Sequence, residues 1–235
     1  MEKFLDVSYW LGKLRVRAYL LLILVTLVYF GYLLRDGRWF FFDDFADFRY
    51  INDSSYGQIL NRSLVEKSAG YHKFLGYFVL KAVYPYFGVE YAQYLYLVFI
   101  IHTINTLLVF EIAQIIIKRR DISLLVAGTF AVRFFSSWIS NMHDMLAGMW
   151  YFGALLLWVR EGGRVWRWGW LGILGLYFLG LATKATTVTM PLSLMALAWA
   201  IKKWERVKVS RVLLIAMMAV LVAYLSFVSN GAAVR

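Results

Sequence analysis

Seven apolar runs, at 18–34, 92–117, 122–139, 145–159, 166–182, 186–201 and 209–228, alternate along the chain with short polar turns. A helix needs about 20 such residues to cross the hydrocarbon of a bilayer. The pattern therefore predicts an all-α integral membrane protein of about seven spans, forming one domain over 1–235. The fourth run is short and draws on residues from Met142 onward. One polar segment breaks the rhythm: 35–91 is too long for a plain turn, and long loops usually carry function.

Composition fits that class. The chain is 62% hydrophobic and 17% charged, with a mean hydropathy of +0.64. Soluble domains sit near 45–50% apolar and 25% charged, and a soluble core this apolar would leave too little polar surface to cover it. Aromatics reach 19%, as expected where Trp and Tyr line both membrane interfaces. Cysteine is absent, which excludes disulfides and thiolate metal sites. The three histidines, His72, His102 and His143, are too far apart for a local zinc motif. The run 18–34 is too long for a secretory signal and lacks a small-residue cleavage site, so it is expected to be retained.

Lys and Arg set the expected orientation. With the N-terminus inside, the cytoplasmic segments hold 15 of the 25 basic residues. Seven of the remaining ten lie in 35–91. The positive-inside rule then predicts a cytoplasmic N-terminus and an outer C-terminus. The formal charge of +11 is a topology signal, and no separate basic domain suggests nucleic acid as a partner. Eight of the fourteen acids fall outside, so carboxylate chemistry is expected on the extracytoplasmic face.

The outer segment opens with Phe42-Asp43-Asp44-Phe45-Ala46-Asp47. Charges this close to hydrocarbon are expensive, which favours a functional role over a solvated helix cap. Asp43 and Asp47 are four apart and would share one helix face. Further on, 72–87 reads as a helix lying on the membrane. Its apolar stripe is Phe74, Leu75, Phe78, Val79, Ala82 and Val83. Its opposite stripe, Lys73, Tyr77, Lys81 and Tyr84, is expected to meet lipid phosphate or to snorkel at the headgroups.

Within the spans, His102 and Asn105 share a face and suit interhelical hydrogen bonds. Glu111 is expected to pair with Lys118 or Arg119. Arg133 stands near the outer end of the third run. The tight turn Trp138-Ile139-Ser140-Asn141-Met142-His143-Asp144 brings His143 and Asp144 to the side of Asp43 and Asp44. Two acidic groups meeting there suit a divalent cation (Mn or Mg, on Asp44, Asp144 and His143) or divided acid and base roles. Asp144 also suits a simple helix cap. Lys184, in the outer turn between the fifth and sixth runs, reads as a phosphate ligand or as an anchor. Pro191 is expected to kink the sixth span.

These motifs, in this order, resemble those of the GT-C membrane glycosyltransferases, which pass a sugar from a polyprenyl-phosphate carrier to an acceptor outside the cytoplasm. Phe42-Asp43-Asp44-Phe45 resembles the acidic pair of the family's first outer loop, and His72-Lys73-Phe74-Leu75 its basic-Pro-Pro-Leu stretch. Phe87-Gly88 through His102 and Asn105 resembles its run into the next helix. Trp138 to Leu146 resembles its second outer loop, and Leu181-Ala182-Thr183-Lys184 through Met190-Pro191-Leu192 its lysine-bearing segment. The chain departs from the pattern in lacking the prolines after Lys73 and in having Ala185 where an acid is usual. Members usually continue into further helices, so a minimal or truncated member is expected.

The resemblance implies Asp43, Asp44 and Asp144 as catalytic residues and Lys73, Arg133 and Lys184 as ligands of donor phosphate. Asp47, His72, His102 and Asn105 would support them. It implies membrane lipid and a polyprenyl-linked sugar as partners, a protein, lipid or glycan acceptor, and a multi-pass location in the plasma membrane (the inner membrane of a prokaryote). The alternatives are a non-catalytic module of the same kind that binds polyprenyl lipid and assists a partner subunit, and a small transporter. The clustering of acids at one face, without an internal repeat, disfavours transport.

Overall fold

The computed structural model of the chain describes residues 2–35, 40, 42–64, 73–133, 139–161, 169–205 and 211–232. Regular structure among them is wholly helical: α1 (Glu2–Arg35), α2 (Phe42–Asp53), α3 (Tyr56–Leu64), α4 (Phe74–Phe87), α5 (Tyr91–Ile117), α6 (Arg120–Arg133), α7 (Met142–Arg160), α8 (Gly169–Thr183), α9 (Met190–Glu205) and α10 (Arg211–Ala232). Two short 3-10 turns, Ile139–Asn141 and Ala185–Thr189, lead into α7 and α9.

The seven apolar runs fall on α1 and on α5 to α10. Two stretches, Arg15–Arg35 and Tyr91–Ile117, are long and apolar enough to cross a membrane. Shorter apolar stretches are Gly169–Thr183, Ala185–Ala200 and Ile215–Tyr224. α5 runs uninterrupted because no Gly or Pro falls within it, and it stops where Lys118 turns left-handed, at φ 58°. The described part of α6 ends at Arg133, short of the expected 139. Pro191 does not kink a span: it lies in the first turn of α9, where a missing N–H costs little. The break falls earlier, in the 3-10 turn Ala185–Thr189.

Large apolar side chains stand exposed around the outside, among them Leu20, Leu24 and Val28 of α1, Leu125 of α6, Phe178 of α8, Trp199 of α9 and Ile215 of α10. An apolar shell of this extent suits lipid rather than water. In lipid, packing and hydrogen bonds drive helix association more than hydrophobicity does. The seams accordingly use small residues. Ser123, Ala127 and Ala131 repeat every four residues along α6 and are fully buried, where α6 meets α1 and α5. His102 Nε2 lies 2.9 Å from the Ala131 carbonyl and tightens that seam.

Two expectations are corrected. Glu111 pairs with neither Lys118 nor Arg119. Its carboxylate turns into the bundle and takes Arg15 of α1 and Arg160 of α7. The face of α4 is also rotated. Gly76, Tyr77 and Leu80 are its buried positions, while Ala82 and Tyr86 lie exposed. Lys81 donates to the Ile51 carbonyl at 2.7 Å instead of reaching for headgroups. Phe74, Phe78, Val79 and Val83 of the apolar stripe pack at the edge of the core, while the buried centre of the face carries the hydroxyl of Tyr77 to a partner within the chain.

Candidate functional site

The acidic segment forms α2, with Asp43 and Asp44 in its first turn, where carboxylates favour the helix dipole. The shared inward face is not that of Asp43 and Asp47. Asp44 and Asp47, three apart, point inward, and Asp43 is exposed. Asp44 is 1% exposed, and its Oδ1 accepts the Ser140 backbone N–H at 2.7 Å. Asp47 Oδ2 accepts the Ser140 hydroxyl at 2.8 Å. One serine in the 3-10 turn before α7 is thus clamped by two carboxylates more than 90 residues away in sequence, joining the outer segment to the second acidic turn.

Asp47 also binds α4, since the Tyr77 hydroxyl donates to its Oδ1 at 3.0 Å. His143 completes the junction. Its side chain is fully buried, and Nε2 stands 3.5 Å from Asp47 Oδ2, ion-pair range but long for a hydrogen bond. The imidazole meets the Tyr77 ring edge-on, with centroids 5.1 Å apart. Burial pushes the Asp47 carboxyl up, but His143, the Ser140 hydroxyl and nearby Lys73 outweigh it and hold it below its ordinary value of 3.8.

The other half of the site is more open. Asp144 lies in the first turn of α7, and Lys184 sits in the extended link after α8. The Lys184 ammonium donates to Asp144 Oδ2, with the two side chains 26% and 40% exposed. Asn105 steadies the start of α7 by donating to the Met145 carbonyl at 2.8 Å. Gly148 leaves room for that amide: a Cβ there would lie 3.4 Å from Asn105 Nδ2.

Of the expected site residues, Asp44, Asp47 and His143 meet at the junction, and Asp144 meets Lys184. Lys73, half-buried before α4, is close enough to act on Asp47 electrostatically. Arg133 is exposed at the end of α6 and is not brought into contact with these groups. His102 is committed to the α6 backbone. His72 lies outside the described residues. Among the described residues no three His, Asp or Glu side chains are grouped to hold a metal ion. The expected set does not fit one, because His143 faces Asp47 while Asp144 is taken by Lys184.

Sequence reasoning gave Ser140 no role and turned Tyr77 toward the headgroups, yet these are the two hydroxyls that bind Asp47. A hydroxyl residue just ahead of a helix start is a capping signal. Nothing in the sequence marks the rotation of Tyr77 inward.

Gly76 is where the junction is tightest. A Cβ there would lie 1.8 Å from His143 Nδ1. Since the ring is buried on every side, Gly76→Ala is expected to force α4 and α7 apart and to destabilise the fold by about 1–3 kcal/mol. Thermal unfolding in detergent reads this directly, and a melting temperature equal to wild type would contradict the packing. No family model matches the chain, and no curated protein or solved structure does either.

Proposed function

We propose that the chain is a multi-pass membrane glycosyltransferase of the GT-C kind. It spans the membrane seven times with the N-terminus in the cytoplasm, and moves a sugar from a polyprenyl-phosphate carrier to an acceptor on the outer face. The observation that carries this reading is one convergence. The acidic helix α2 and the His143-Asp144 turn are joined through Ser140, and Asp144 in turn holds Lys184. Carboxylates and a cation thereby gather at one end of apolar helices, where a lipid-linked phosphate would present its sugar.

Asp43 is the exposed carboxylate of the acidic segment and serves as general base. It takes the proton of the acceptor hydroxyl as that oxygen bonds to the anomeric carbon. The bond from that carbon to the phosphate oxygen breaks, and the departing phosphate keeps the electron pair. Lys184 neutralises the charge that develops there, with Lys73 as a further cation. A single displacement of this kind inverts the anomeric centre. No step runs through a metal, since the carboxylates are not grouped for one. Asp44 and Asp47 are buried holders of the site rather than reacting groups.

The test uses purified protein in lipid nanodiscs with a panel of polyprenyl-phosphate sugars, and mass spectrometry follows loss of sugar from the carrier. Consumption of donor is expected. A second reading, a module that binds polyprenyl lipid and assists a partner, is favoured by one observation: two of the three clustered acids are spent on structural hydrogen bonds. Donor binding without turnover, across acceptor classes, would select it.

A further inference from the structure

A second charged assembly lies at the opposite ends of α5 and α7, against the middle of α1. Glu111, only 6% exposed, accepts Arg15 Nε at 2.9 Å and is also bound by Arg15 Nη2 and by the Tyr19 hydroxyl. Arg160 Nη2 reaches the same Oε2 at 3.2 Å. Two guanidinium groups from different helices thus converge on one carboxylate oxygen. Their side chains remain 50% and 52% exposed. One carboxylate against two cations leaves a formal charge of +1, and each guanidinium carries five N–H donors in a fixed fork. Beside Arg15, α1 presents Val16, Leu20, Leu24 and Leu27 exposed at spacings of four, four and three, a continuous apolar stripe leading away from the arginines.

We propose that this is a binding site for an anionic phospholipid. Its headgroup phosphate bridges Arg15 and Arg160, and its acyl chains lie along the α1 stripe. Arginine forks match phosphate oxygens bidentately, and basic pockets between helix ends recruit acidic headgroups. Glu111 pre-sets both arginines at low conformational cost without cancelling their charge. The inference rests on the chain lying in a membrane, not on transfer chemistry, and the site is at the other end of the helices from Asp43. A failed transfer assay leaves it standing.

The experiment is native mass spectrometry of the full chain released from micelles holding phosphatidylglycerol and phosphatidylcholine in equal amounts. Wild type is expected to retain phosphatidylglycerol selectively. Arg15→Gln and Arg160→Gln are each expected to weaken that retention about fivefold. Arg119→Gln serves as the control for general surface charge, because Arg119 is exposed and already paired with Asp121; it is expected to change nothing. Glu111→Gln is expected to hold or raise retention, whereas a purely structural pairing would make it lose as much as Arg15→Gln. Inorganic phosphate is expected not to displace the lipid, since it has no chains for the stripe. Wild-type selectivity in both arginine variants, equal loss in Arg119→Gln or in Glu111→Gln, or displacement by phosphate would each overturn the proposal. If Arg15→Gln does not fold, Arg160→Gln decides alone.

Discussion

Asp43→Asn is expected to lower sugar transfer by about 10²- to 10⁴-fold, the usual worth of a general base, while the protein stays folded. The two halves of that expectation have separate causes. Asp43 is exposed at the start of α2, so replacing it removes no buried contact. A neutral amide cannot take the acceptor's proton, so the chemistry is lost even with donor bound. Asp44→Asn is the matched control. An amide oxygen can still accept the Ser140 N–H that Asp44 Oδ1 now takes, so the join between α2 and α7 survives. If Asp44 is a holder, its Asn variant keeps most of the turnover. The reverse pattern, with Asp44→Asn inactive and Asp43→Asn active, would exchange the two roles. Wild-type turnover by both would remove the acidic pair from the mechanism.

The same pair shows what the sequence could carry. The helices were legible because apolar runs broken by charged turns leave few alternatives, and α1, α5, α7, α8 and α10 fall where the runs lie. The meeting of the Asp44 and His143 segments was legible too, because the charge pattern of the sequence assigns both to the side on which the acids collect. Partner choice within the site was not. Period-3.6 patterning tells which residues share a face, but in a membrane it does not tell which face is inward, since lipid accepts an apolar stripe as readily as a core does. Tyr77 and Lys81 were therefore assigned to the headgroups, although Asp47 and the Ile51 carbonyl claim them. Glu111 met the same limit. Its nearest cations in sequence lie at and beyond the end of α5, where Arg119 takes Asp121, and its true partners come from 96 and 49 residues away.

Asp47→Ala is expected to be the most destabilising single change in the outer segment. The carboxylate serves three elements: the Tyr77 hydroxyl of α4, the Ser140 hydroxyl ahead of α7, and the His143 ring. Its removal strands all three where water does not readily reach them, and stranded buried groups cost more than the lost bonds themselves. The expected loss is about 3–5 kcal/mol, as for breaking a buried pair from one side. That is a large part of the roughly 5–15 kcal/mol that holds most domains. Unfolding in detergent against denaturant measures it, with Ser140→Ala and the double variant closing a cycle. Neighbours sharing a network should show coupling of about 0.5–3 kcal/mol. Acid provides an independent check. The folded carboxyl titrates below its ordinary 3.8, so its contribution is complete above that value and is lost as pH falls through the lower folded value. The gap between wild type and Asp47→Ala should then stay level from about pH 5 upward and close below about pH 4. A gap that is absent at neutral pH, or that widens in acid, would mean that Asp47 is not the ion that ties α2, α4 and α7 together.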